Sequence, residues 1–376
     1  MITNTWLILG IFSVLASFSV WAAKYTKWGN YLGYVNIAVI LGLLAVNLKV
    51  VPDWSDIHNL AFNYFVPIAV VLVLLQADLR ILKKVGGKLL ITLGCAIVFT
   101  MVAAIVGGLI LDCGDETYKV FAAYAAGYVG NAQTLNLVAS ALQMDPGTLV
   151  FVNASDSVIY IFYSLILFSC GKWAFMKKHY GSYRVLDKKA AKYEEEVYNP
   201  NEDIKVSSEE TAVVLGAAIG IVGLGQWLGE ITGILALIFY VAIAVIVANV
   251  TPVKKYKIND KIGTWLFCMF MVAIGACAPI SVLLSAPKTV VLGCAFVIGC
   301  SMLLFLIFGK LFKLPLEYMI ISSMACIGGA VSTPPLAQTY KWHDLIMPGL
   351  FCGIIAQVLG SYCGLLVGSI LQMLGA

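Results

Sequence analysis

About a dozen apolar runs of bilayer-crossing length dictate what this chain can become. A helix needs about 20 predominantly apolar residues to span the hydrocarbon core. The runs cover residues 5–22, 31–50, 60–77, 89–111, 118–143, 147–170, 209–228, 231–250, 263–284, 289–309, 315–339 and 345–373. Of all residues 61% are hydrophobic and 12% are charged, where a soluble domain carries about 25% charged. Mean hydropathy is +0.93. The expected fold class is an all-α polytopic membrane protein of about 10–12 transmembrane helices. The expected place is the cell (inner) membrane, with many passes and the lipid bilayer as a partner. Trp21, Trp28, Trp54, Trp173, Trp227 and Trp342 stand at run ends, as interfacial aromatics do.

The net charge of +4 is small, and the charges lie between the runs. They report topology, so no nucleic-acid partner is expected. No basic residue precedes Lys24, so Thr5 to Trp21 is read as a retained membrane segment and not a cleaved signal. The ten cysteines lack a CxxC spacing and fall mostly inside apolar runs. They are expected to pack as small apolar residues. His58, His179 and His343 are expected in loops, without ligand spacing, so no metal site and no cofactor are assigned.

Two of the runs are interrupted at matching places in the two halves. The first interruption reads Gly127-Tyr-Val-Gly-Asn-Ala-Gln-Thr-Leu-Asn136, the second Ile327-Gly-Gly-Ala-Val-Ser-Thr-Pro-Pro335. A helix broken at membrane depth exposes backbone groups that lipid cannot satisfy, so protein, water or a solute must do so. A matched pair of breaks is a sequence pointer to the binding site of a secondary transporter. Asn131, Gln133, Thr134 and Asn136 are therefore candidate solute-binding residues. A half-helix starting near Gln133 would offer N–H donors and partial positive charge to an anion. In the second break Ser332 or Thr333 is expected to cap a half-helix starting at Pro334, because proline is tolerated in a first turn. Ser332, Thr333 and Gln338 complete the candidate solute set.

Asp156 is the acidic residue deepest in any run. A carboxylate at the bilayer centre costs roughly 2.5–3.5 kcal/mol on insertion scales, so it must face protein or water. It is read either as the group that takes Na⁺ or H⁺ or as a hydrogen-bonded brace of a broken helix. Asn153 shares its helical face. Asn153 and Ser157 join Asp156 as the ion-coupling candidates. The glycines of the last run, Gly349, Gly353, Gly360, Gly364 and Gly368, are read as allowing close helix packing.

The layout repeats. Residues 60–170 run through a long segment, a basic loop, a long segment, an interrupted segment and an uninterrupted one. Residues 263–373 repeat the last three after another basic loop. The expected organisation is a first membrane repeat at 1–170, a polar linker at 171–208 and a second repeat at 209–376. Basic loops suggest that the repeats are inverted. The Lys-rich linker argues for the opposite side, and orientation stays open.

The stretch Val66-Pro to Gln76-Ala-Asp-Leu-Arg80, the interrupted segment followed by Asp156, and Ser322 to Pro334 form a recognisable set. So do Met347-Pro-Gly-Leu-Phe-Cys-Gly353 and Leu359-Gly-Ser-Tyr-Cys-Gly364. On these motifs the chain, from about residue 35 onward, resembles the YjcL-like family of uncharacterised bacterial integral membrane proteins. That family is similar in turn to the cation–proton antiporters, bile-acid-type sodium symporters and organic-anion carriers. The resemblance implies inverted repeats, two crossed broken helices in a core domain, and a scaffold domain. Ser157 stands where the family usually has Asn, and Met324, Cys326 and Ala330 also depart from its pattern.

The function expected is ion-coupled secondary transport of a small polar solute, an organic anion or amino-acid-like compound, by alternating access. The rival readings are a non-transporting membrane sensor or scaffold, and an intramembrane enzyme. Catalysis is not expected, because no deep His, Lys or Arg accompanies Asp156. A homodimer is compatible with either membrane reading.

Overall fold

The computed structural model describes residue 2 and residues 4–75, 79–182, 208–233, 236–251 and 260–375. The sequence also suggests a short surface helix over Lys188 to Val197, an interfacial Asp78 and a cytoplasmic basic loop with Lys254, Lys255 and Lys257, and all of these lie outside the described residues. So does most of the 171–208 linker.

In chain order the helices are α1 (Thr5–Tyr25), α2 (Lys27–Leu32), α3 (Tyr34–Asn47), α4 (Asp56–Leu60) and, after a π turn at Ala61–Phe65, α5 (Val66–Leu74). Next come α6 (Leu79–Ile110), α7 (Thr117–Val129), α8 (Ala132–Ala141), α9 (Pro146–Cys170) and α10 (Ala174–His179). Then follow α11 (Ser208–Thr232), α12 (Ala236–Val250), α13 (Asp260–Ala276) and α14 (Ile280–Ser285). The last are α15 (Lys288–Leu311), α16 (Leu316–Thr339), a 3₁₀ turn at His343–Leu345 and α17 (Ile346–Leu374). The described part of each of the twelve apolar runs falls on a helix or helix pair. Among the described residues seven helices are long and apolar enough to cross a membrane. Side chains such as Trp6, Val14, Ile91 and Ile307 stand mostly exposed, which suits lipid and not water. The protein is an all-α multi-pass membrane protein.

One run is divided. Residues 263–284, expected as a single segment, end as α13 at Ala276 and resume as α14 after Pro279. Proline lacks the N–H that would continue the ladder and biases the residue before it away from helix. The histidines also differ from expectation. His179 lies in α10 and His343 in a 3₁₀ turn. His58 is wholly buried in α4, stacked on Trp54 and edge-on to Phe12.

The helices form two compact units, and each draws on both sequence halves. The first comprises Met1–Lys84 and Lys189–Cys277, the second Val85–Lys188 and Ala278–Ala376. In the first, α13 lies along α3. A Cβ on Gly42 would meet Val272 O at 2.1 Å, and one on Gly275 would meet Val39 O at 2.2 Å. Small residues thus let these two backbones touch.

In the second unit α17 is the spine against which α7, α8 and α16 pack. Its glycines track both broken helices. A Cβ on Gly353 would come within 2.4 Å of Ala330 N, and one on Gly360 within 2.8 Å of Gly130 Cα. One on Gly364 would reach Ala126 Cβ at 2.6 Å. Their close-packing role is therefore visible in the geometry.

Glu116 ties the entry of α7 to that of α9. Its Oε1 accepts from the Lys119 ammonium at 2.9 Å and from the Asp145 N–H at 2.9 Å. Partial burial pushes its carboxyl up, but the bonds from Lys119, Asp145 and Thr148 outweigh it. They hold it below its ordinary value of 4.5.

Two expectations follow from this packing. Gly353→Ala should destabilise by about 1–3 kcal/mol through overpacking. Gly94→Ala, where no atom lies within 4 Å of the added carbon, should be neutral or stabilise by about 0.4–1 kcal/mol. Melting curves in detergent distinguish them, and equal effects would contradict the packing. The Glu116 contribution should be full above pH 4.5 and be lost as pH falls through its lower folded-state value. Glu116→Gln should therefore flatten the acid limb of melting temperature against pH. An unchanged limb would remove Glu116 from the acid response.

Candidate functional site

The first helix break lies between α7 and α8. Gly130 ends α7, and Asn131 adopts φ 152° and ψ −178°. That region is used almost solely by glycine and costs about 1–3 kcal/mol elsewhere. A reciprocal cap holds it. Asn131 Oδ1 accepts from the Gln133 and Thr134 N–H groups at 2.9 and 3.2 Å. Thr134 Oγ1 accepts from the Asn131 N–H at 3.1 Å. The same hydroxyl lies 2.8 Å from Ala126 O, so it also serves a carbonyl of the preceding half-helix.

The second break lies inside α16. Gly329 takes φ 64° and ψ −162°, a conformation open to glycine for want of a Cβ. The chain is helical again from Ala330, so the half-helix does not begin at Pro334. Ser332 and Thr333 are consequently not its caps, as the sequence had suggested. They sit in its first turns. Pro334 has no N–H for Ala330 O, and the Thr333 hydroxyl donates to that carbonyl at 3.3 Å instead. This substitution lets a proline pair sit inside a helix. The arms of α16, residues 316–328 and 330–339, equal α7 and α8 in length.

The two breaks meet. A Cβ on Gly329 would lie 3.0 Å from Asn131 Nδ2 and 3.3 Å from Gly130 O. Each irregular stretch is thus covered by the other, and α17 closes both.

Asp156 lies buried on α9 with 7% of its surface exposed. Tyr128, in the last turn of α7, interacts with this carboxyl. Tyr128 also bonds Cys294 Sγ of α15 at 2.6 Å. Tyr124 stacks beside Tyr128 and donates to Val290 O at 3.0 Å. One turn beyond Asp156, Tyr160 shares a hydrogen bond of 3.2 Å with Ser332. The helix that carries the acid is therefore tied to the first turn after the second break through Tyr160 and Ser332.

Residues 10–374 match a family described as "Protein of unknown function (DUF819)". The chain belongs to the DUF819 family. It is also similar to the "Uncharacterized membrane protein YjcL" of Bacillus subtilis (strain 168), at 24% identity over 397 residues. That match covers 97% of this chain and 96% of the relative. The likeness to YjcL-like proteins read from the motifs is borne out, as is the placement in the cell membrane, in contact with lipid.

The other candidates are distributed around the breaks of this DUF819 member. Asn136 and Asn153 form a reciprocal amide pair at 3.0 and 2.9 Å, joining α8 to α9. Exposed Gln133 accepts from Gln357 of α17 at 3.1 Å. Ser157 is half-buried on α9. Gln338 lies further along α16, where its Oε1 is buried without a hydrogen-bond partner, and no hydrogen bond ties it to the acid. Sequence reasoning missed Tyr124, Tyr128, Tyr160 and Cys294. A tyrosine in an apolar run reads as core, and Cys294 was expected only to pack.

Asn131 gives the test of this geometry. Asn131→Ala loses the cap, worth about 0.5–2 kcal/mol, and keeps the backbone strain. Asn131→Gly should cost at least about 1 kcal/mol less, since glycine adopts this conformation freely. Chemical or thermal unfolding in detergent measures the difference. Equal losses would mean that the backbone of residue 131 is ordinary in solution.

Proposed function

We propose that this protein is an ion-coupled secondary transporter of a small polar solute, an organic anion or amino-acid-like compound. The observation that carries the reading is the meeting of two helix breaks in one compact unit, with a buried carboxyl beside them. Irregular backbone at membrane depth persists where it is buried in protein or lines a solute path. Carriers bind their solutes at such discontinuous helices.

The first turn of α8 supplies the anion chemistry. Its Gln133 and Thr134 N–H groups point to the Asn131 amide oxygen. A solute carboxylate would replace that oxygen and gain the partial positive charge of the helix end. Ser332, Thr333 and the amides of Gln133 and Asn136 would contact the polar remainder. Asp156, with Asn153 and Ser157 on the same helix, would take the coupling ion. Both breaks share one unit, so they would move together during alternating access.

The reading is of a carrier and not an enzyme. The described groups that bear on Asp156 are Tyr128, Tyr124, Tyr160 and Cys294. General acid–base or nucleophilic work would call for a base or metal set beside it.

A panel of organic anions and amino acids, screened by thermal shift with and without Na⁺, selects a solute for uptake into proteoliposomes. Asp156→Asn should remain folded and lose coupled uptake. Full coupled uptake in that variant would remove Asp156 from the mechanism. Gly130→Leu should impair solute binding far more than Gly10→Leu. An added carbon at Gly130 meets Thr134 Oγ1 at 2.5 Å, whereas nothing lies within 4 Å at Gly10. Equal impairment would point to general packing.

A further inference from the structure

Five hydroxyl-bearing residues from five helices line one cavity of about 20 Å³ in the second unit. They are Thr100 of α6, Tyr128 of α7, Tyr163 of α9, Ser301 of α15 and Ser323 of α16. A water molecule needs roughly 10–15 Å³ and 2–4 polar partners, and both conditions are met. Several of the donors are already engaged. Thr100 Oγ1 donates to Ala96 O at 2.9 Å, and Ser301 Oγ to Ile298 O at 2.9 Å. Tyr163 and Ser323 share a hydrogen bond of 2.6 Å. The walls therefore offer hydroxyl lone pairs, to which a water or hydronium ion can donate.

Tyr128 links this cavity to the acid. Tyr128 lines the cavity, its hydroxyl is bonded to Cys294, and it interacts with the Asp156 carboxyl. We propose that the cavity holds water and that a proton reaches Asp156 from it through the Tyr128 hydroxyl, making the proton the coupling ion. This rests on the carrier reading and names its ion. The surroundings of the acid agree. A hard cation takes an all-oxygen shell, and one of the groups beside this carboxyl, Cys294, presents a thiol instead. Among the described residues the titratable groups that interact with it are Tyr124 and Tyr128 from α7, Cys294 from α15 and Tyr160 on α9 itself. The nearby polar groups from α16 and α8, Ser332 and Asn136, do not titrate, and α14 has no titratable side chain.

The transfer balances. Cavity water passes a proton to the Tyr128 oxygen as Tyr128 releases its own to the carboxylate. Tyr128 ends neutral, as it began, and the water regains a proton from bulk water. Asp156 becomes a carboxylic acid, and the reverse sequence releases the proton. The Cys294 thiol can steady the Tyr128 oxygen by donating to it.

Infrared difference spectroscopy on the purified full-length protein after a pH jump tests this without any solute. The Asp156 carbonyl band is assigned by its loss in Asp156→Asn. In the unaltered protein that band should rise and fall with pH and ignore added NaCl at fixed pH. Tyr128→Phe should slow its response by roughly 100-fold or more, the scale of a lost proton-transfer group. Ala96→Leu, which fills the cavity and leaves Tyr128 in place, should slow it likewise. Melting curves confirm that each variant is folded, and either variant alone suffices. Unchanged rates in a folded variant, a band indifferent to pH, or a band displaced by NaCl would overturn the proposal. Absence of solute uptake alongside the expected spectra would sink the carrier reading alone.

Discussion

Backbone polar groups have no solvent in the apolar interior of a membrane, and the second unit is organised around that constraint. Its two helices break at Gly130–Asn131 and at Gly329. Every group released there needs a partner from the protein. Asn131 and Thr134 cap one break reciprocally, and Thr333 takes the carbonyl that Pro334 cannot serve. The breaks abut each other so closely that a Cβ on Gly329 would press on Asn131 Nδ2 at 3.0 Å. The glycines of α17 follow from the same demand, since only a bare helix face can approach both stretches.

The buried acid belongs to this arrangement. Asp156 is joined to the first broken helix through Tyr128, and its helix is joined to the second through the Tyr160–Ser332 bond. A change of charge on that carboxyl would thus act on α7 through Tyr128 and on α9 itself, which the Tyr160–Ser332 bond ties to the second break. In the proposed carrier this gives ion binding and solute binding a short physical link. The Asn136–Asn153 amide pair adds a direct tie between α8 and α9.

Much of this was legible in the sequence, for definite reasons. Apolar runs of spanning length announce helices. Gly130-Asn131 and the Gly328-Gly329 pair announce breaks, because glycine and asparagine tolerate backbone that other residues avoid. A lone carboxyl in an apolar run announces a buried polar site. The prolines misled: Pro334 and Pro335 pointed to a helix start, but a threonine hydroxyl replaced the missing bond and the break fell at Gly329. Cys294 and the tyrosines gave no signal, since their partners are remote in sequence and a hydroxyl on a ring looks like core. His58 sits buried because Phe12 and Trp54 enclose it, which local composition does not announce.

The central claim is that the two breaks together hold a solute. Hydrogen–deuterium exchange of the purified protein, with and without a panel of carboxylate and amino-acid solutes, tests it most directly. The account predicts that amides at 131–134 and 329–332 exchange faster than those of α17. It also predicts that one solute class slows both stretches together. Exchange as slow as in α17 at both breaks, unaltered by every solute, would contradict it.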